Sequence, residues 1–139
     1  MMATFFKYFT LFSIGGLAYM IIEILFSGNT HWTMGILGGI CFILIGIINS
    51  VFSYDFSLLK QMILSAILIT ALEFITGIIL NIGLHLAIWD YSHLPFNILG
   101  QVCLPFSIMW FFLSLPAIFL DDLIRWQLFN EEKPHYKLF

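Results

Sequence analysis

The sequence predicts an all-α membrane protein whose four transmembrane helices form two tandem parallel-repeat hairpins, with both termini cytoplasmic. Three observations carry that expectation. Of the 139 residues, 61% are hydrophobic and only 9% charged, too little polar surface for a domain surrounded by water. Four apolar runs approach or exceed the roughly 20 residues a helix needs to cross a bilayer. All five basic residues also fall on one side of those runs.

The first run is Tyr8 to Phe26, interrupted only by Glu23. Lys7 ahead of it gives it some likeness to a signal sequence. It has no clear small-residue cleavage site, so it reads as a retained helix. The second run, Thr33 to Tyr54, carries no charge, and the third, Gln61 to Leu84, carries only Glu73. The fourth, Phe96 to Leu120, contains Pro105 and Pro116. Backbone amides have no partners in hydrocarbon, so runs of this length are read as helices. Lys7, Lys60, Arg125, Lys133 and Lys137 then place the termini and the 55–60 turn in the cytoplasm by the positive-inside rule. Trp32 and Trp89 mark the outer interface, and Trp126 with Leu128 and Phe129 the inner one. The chain reads as a single membrane domain, 1–139, with hairpin repeats at 5–54 and 61–120 and an interfacial segment and polar tail at 121–139.

The repeat rests on an echo. Ile36-Leu37-Gly38-Gly39-Ile40-Cys41 returns as Ile98-Leu99-Gly100-Gln101-Val102-Cys103, each after an outer-loop tryptophan and a helix bearing one acid, Glu23 or Glu73. Each copy is expected to open the second helix of its hairpin. Two-helix units insert the same way round, so the pseudo-twofold axis would lie along the membrane normal. The stripe Gly35, Gly39, Phe42, Gly46, Asn49, Ser53 suits close helix packing. Polar or small stripes on the other helices (Gly16, Tyr19, Glu23; Ala66, Thr70, Glu73, Gly77, Asn81; Asn97, Gly100, Cys103, Ser107 and Trp110 or Phe111) are expected to converge on a cavity.

Within that cavity the glutamates are the strongest functional signal, because a carboxylate at membrane depth costs about 2.5 kcal/mol or more. The outer loop between His85 and Asn97 concentrates Trp89, Asp90, Tyr91, Ser92 and His93. It reads as a lid or entrance, with Asp90 and Asn97 facing the cavity. The alternatives are a protonated glutamate tied to a neighbouring hydroxyl, such as Tyr19 or Thr70, and a loop that only anchors the interface. The substrate-binding candidates are therefore Glu73, Glu23, Tyr19, Asp90, Tyr91, Asn97, Trp89 and Trp32. The histidines match no metal spacing, and neither a metal nor another cofactor is expected. Cys41 and Cys103 read as buried thiols. No phosphate-binding loop is present, and a net charge of −3 offers nucleic acid no basic patch.

Glu73, Trp89-Asp90-Tyr91-Ser92, Pro95-Phe96-Asn97-Ile98, Gly100, Cys103-Leu104 and Trp110 resemble the CmpB-like ABC-transporter type IV permease family, small bacterial membrane proteins. The first hairpin is similar through Gly15-Gly16, Tyr19, Glu23, Trp32 and Gly38-Gly39. The resemblance implies a multi-pass inner-membrane protein in transport. Four helices are few for a permease, which calls for a homo-oligomer or a partner membrane subunit. The expected function is a permease component binding a small cationic or protonatable substrate, or a lipid ligand, in an outward-facing cavity. The alternative is an intramembrane enzyme using buried carboxylates on a lipid or isoprenoid.

Overall fold

The computed structural model describes residues 2–51, 57–131, 134 and 136, with the side chains of 49–51 set aside. Four helices dominate: α1 (Met2–Ser27), α2 (Trp32–Val51), α3 (Leu58–Gly77) and α4 (Leu104–Phe129). A π-helical turn, Ile78–Gly83, extends α3. A two-stranded ladder, β1 (Asn97–Ile98) and β2 (Val102–Cys103), precedes α4. Among the described residues three helical stretches are long and apolar enough to cross a membrane: Met2–Ser27, Leu58–Gly83 and Leu104–Phe129. A fourth apolar stretch, Trp32–Ile48, is shorter. Ser53, Tyr54, Lys133 and Lys137 lie outside the described residues.

The helix ends follow local chemistry. Past Ser27, Gly28 takes φ 85° and its N–H donates to the Ile24 carbonyl at 2.9 Å. Ser57 caps α3 by accepting from the Lys60 N–H at 3.2 Å. Asn130, at φ 55°, closes α4 in the left-handed conformation that asparagine tolerates.

The first hairpin is packed through small residues. A Cβ on Gly16 would come within 2.5 Å of the Gly35 carbonyl oxygen, and one on Gly39 within 2.8 Å of that of Phe12. Backbones of α1 and α2 therefore approach as closely as membrane helices do where glycine lines the contact. Polar pairs join α3 to α4, with the Thr70 and Ser107 hydroxyls bonded at 2.8 Å. The common core draws Met34, Leu37, Cys41 and Ile45 from α2, Met62 and Ile69 from α3, and Trp110 and Ile118 from α4. The α1 and α4 backbones approach less closely, and their side chains meet through a second cluster of Leu11, Phe42 and Ile124.

Two sequence expectations are corrected. The fourth helix starts at Leu104, not Phe96, so Asn97, Gly100 and Cys103 belong to a turn and ladder, and the second copy of the echo does not open a helix. Phe96, Leu99 and Gly100 all have positive φ (53°, 55° and 73°), which no α-helix accommodates. Pro105, in the first turn of α4, has no N–H to donate into a helix running through from Phe96.

The segment after residue 120 continues the fourth helix. Helix α4 runs on to Phe129 and buries Asp121, Asp122 and Arg125. Arg125 Nε donates to both Asp121 carboxylate oxygens at 3.1 Å, one turn apart on the helix. Gly46 of α2 makes room, since a Cβ there would collide with the Asp121 carboxylate. Lys7 Nζ meets Glu131 at 2.8 Å, joining the start of α1 to the end of α4.

Candidate functional site

Glu73 lies on α3, 2% exposed, with no basic side chain bonded to it among the described residues. Its partners come from two other parts of the chain. Tyr91 Oη, from the loop before α4, donates to Oε2 at 3.3 Å. Trp110 Nε1–H, on α4, donates to Oε1 at 3.5 Å. Both bonds are long, so the carboxylate is held weakly for a group so deeply buried.

Ring contacts hold the two donors. Tyr91 stacks on Phe106 with centroids 4.5 Å apart and planes 8° apart. Trp110 stacks on Tyr19 of α1 at 5.7 Å and 23°. Gly38 seats Tyr19, because a Cβ there would stand 2.5 Å from the Tyr19 Cβ.

The loop that carries Tyr91 is fastened by amides. Asn81, on the π-helical turn, donates to Gln101 Oε1 at 2.8 Å and accepts from the Ile88 N–H at 2.7 Å. Gln101 Nε2 donates to the Leu99 carbonyl at 2.9 Å, and Trp89 Nε1–H donates to the Gln101 carbonyl at 2.9 Å. The Tyr91 N–H donates to the Gly100 carbonyl at 2.7 Å. Gly77 leaves the space: a Cβ would come within 2.5 Å of Gln101 Oε1 and 3.0 Å of the Trp89 ring. The non-helical backbone around Tyr91 is thus pinned to the end of α3 by side-chain amides.

A cavity of about 450 Å³ opens at the end of the bundle where the interhelical loops lie. Its wall includes Tyr19, Glu23, Phe26, Trp89, Tyr91, Phe106 and Trp110, and among the described residues no Lys, Arg or His lines it. Glu73 stands behind the Tyr91 and Trp110 rings. A second cavity, of about 180 Å³ and almost wholly apolar, shares Tyr19, Ile22 and Trp110 with the first.

Of the residues singled out from sequence, the structure gathers Glu73, Glu23, Tyr19, Tyr91 and Trp89. Asp90, Asn97 and Trp32 stand elsewhere. Asp90 is fully exposed, and its Oδ1 accepts the Ser92 N–H at 2.9 Å; that bond above all holds its carboxyl below the usual range. Asn97 closes the turn, donating to the Leu94 carbonyl at 2.9 Å and accepting from the Gly100 N–H at 3.1 Å. Trp32 is 67% exposed and stacks on His31. The cysteines are buried free thiols.

Sequence reasoning did not assign Gln101 to the site. The available signal was an amide in an apolar stretch, which needs a partner, with Asn81 as the nearest candidate amide. The Asp121–Arg125 pair was legible too, through its i,i+4 spacing.

The family model described as "Putative ABC-transporter type IV" matches residues 7–134. The chain belongs to that family. The match takes in most of α1, the other three helices and every residue named on the cavity wall. No curated protein and no solved structure matches the chain.

Proposed function

We propose that this family member is a transport component that binds a small cationic or protonatable substrate in the cavity of about 450 Å³. One observation carries the reading: among the described residues the cavity wall combines the Glu23 carboxylate with six aromatic side chains and no basic one, with the buried Glu73 immediately behind. Aromatic faces attract a cation by about 2 kcal/mol or more once it is desolvated. A carboxylate in low dielectric adds to that attraction or exchanges a proton with the bound group. The weak hold of Tyr91 and Trp110 on Glu73 suits a carboxylate that changes partners as substrate arrives.

By the positive-inside rule the termini are cytoplasmic and the cavity faces outward across the inner membrane. Four helices are few for a permeation path, so the working unit is a homo-oligomer or includes a partner membrane subunit. Membership in a transporter family favours this reading over lipid or isoprenoid chemistry.

The test is binding of tetraethylammonium to the purified protein by titration calorimetry, with proteoliposome flux as a second readout. Glu73→Gln keeps the shape and removes the charge, and is expected to weaken binding at least about tenfold, a loss near 1.4 kcal/mol. Unchanged affinity in a folded Glu73→Gln protein would remove Glu73 from the site.

A further inference from the structure

The smaller cavity has no role in the reading above. It is a cleft between α1 and α4, walled by Gly15, Ala18, Cys41, Phe42, Leu113 and Ala117. Its rim residues Ile22 and Pro116 are exposed, which opens it sideways to the surroundings of the bundle. Native interiors seldom leave apolar voids of this size, because the lining atoms forfeit dispersion contacts. Here the two helices leave a gap between the Tyr19–Trp110 stack and the cluster of Leu11, Phe42 and Ile124. Pro116 lines the cleft as well as its rim, inside α4, where it cannot donate to the Phe112 carbonyl one turn earlier.

This cleft is continuous in its walls with the polar cavity. Tyr19, Ile22 and Trp110 line both, so the Tyr19–Trp110 stack stands at their junction. One end of the combined space is acidic and aromatic, and the other is apolar and open to the bilayer.

We propose that the ligand is a single-tailed amphiphile, with its cationic head in the carboxylate and aromatic cavity and the first carbons of its tail in the α1–α4 cleft. The proposal rests on the cation-binding reading and narrows it. Size is consistent with one tail: a cavity of 150 Å³ accommodates benzene, so about 180 Å³ takes a segment of about six carbons and not the body of a two-chain lipid. The remainder of the tail leaves between α1 and α4 into the acyl chains. Lipid is as apolar as the cleft, so tail burial adds little affinity. The head supplies the affinity, while the cleft supplies a lateral entrance and selection by shape.

The test places the protein in phosphatidylcholine vesicles with a diazirine-bearing hexadecyltrimethylammonium and, separately, a diazirine-bearing phosphatidylcholine. The expected result is amphiphile adducts on Ala18, Leu113 and Ala117, few phosphatidylcholine adducts there, and competition by tetraethylammonium. Ala117→Phe fills the cleft, and is expected to lower amphiphile labelling at least about tenfold more than it lowers tetraethylammonium affinity. Ala18→Leu repeats the test should Ala117→Phe fail to fold, and Ile40→Phe, on an exposed face of α2, controls for added bulk. Equal labelling by both probes would mean that bulk lipid fills the cleft, and would overturn the proposal. Absence of adducts would also overturn it, a second copy's helix in the cleft being one cause. In either case Glu73-dependent tetraethylammonium binding leaves the cation site standing. If tetraethylammonium binding is itself insensitive to Glu73→Gln, the failure belongs to the cation site.

Discussion

Two hexapeptides in this chain share four of their six residues and fold differently. Ile36 to Cys41 is uninterrupted α-helix, whereas Ile98 to Cys103 is a turn flanked by two short strands. In the turn, Leu99 and Gly100 have φ 55° and 73°, and the Gln101 N–H donates to the Ile98 carbonyl at 3.0 Å. Positive φ at both central positions is the type I′ arrangement. What separates the copies is mostly outside them. The first has no proline on either side and presents glycine to α1. The second is bracketed by Pro95 and Pro105, is closed by the Asn97 side chain, and has Gln101 where the first has Gly39. A buried amide must find a partner, and Asn81 provides one only if the segment folds back onto the end of α3. Local sequence identity is therefore a poor guide to local structure where neighbouring elements make different demands.

Substitutions at matching positions sharpen this contrast. The largest difference is expected at the shared glycine. Gly38→Asn drives a side chain into Tyr19, and overpacking alone costs about 1–3 kcal/mol. The unpartnered amide adds to that cost, and the disturbed Tyr19–Trp110 stack weakens tetraethylammonium binding. Gly100→Asn is expected to cost less than Gly38→Asn, because asparagine tolerates the left-handed region and the nearest atom its Cβ would meet is the end of the exposed Asp90 side chain, 2.9 Å away. Unfolding followed in detergent micelles measures both. Equal losses at the two sites would break the contrast.

Next in size is Gln101→Leu, which leaves the Asn81 amide without its partner and is expected to cost about 1–3 kcal/mol. Hydrogen exchange should rise at Ile88 and Trp89 while the 36–41 segment stays protected. Exchange unchanged in the loop would mean that the turn does not depend on the amide pair. The smallest effect is expected at Asp90. Its carboxyl titrates below its ordinary value of 3.8 because the Ser92 N–H favours the ionised form. That contribution to loop order is therefore present above pH 3.8 and fades only as pH falls below it. Asp90→Asn should leave substrate binding at neutral pH unchanged and remove the acid-induced change in loop fluorescence. A binding loss at neutral pH would return Asp90 to the site.

The legible and illegible parts of the molecule divide along similar lines. The apolar runs were readable, though not where the fourth begins and ends, because a helix in lipid satisfies its backbone within its own segment. Glu73 stood out because a lone acid in such a run is costly wherever its partners lie. Asp90 and Asn97 look alike on paper as polar residues of an outer loop, and both were read toward the cavity. The turn instead uses them for its own closure, a choice set by φ angles and by backbone donors that sequence does not display. Asp121 and Arg125 fell past the expected end of the fourth run and were read as tail, although Gly46, far away in sequence, makes room for them to be buried.

By itself, then, the sequence determined that this is an all-α, membrane-type chain of the CmpB-like family with an acid inside its third helix. Hydropathy, helix length and the cost of a buried charge are properties of a segment and its solvent. Only the tertiary structure decided that the second hexapeptide is a turn, that Tyr91 and Trp110 are the donors to Glu73, and that α1, α2 and α4 leave an apolar cleft among them. Each of those is a contact between distant segments, and it depends on which surfaces the chain has left to bury once its helices are formed.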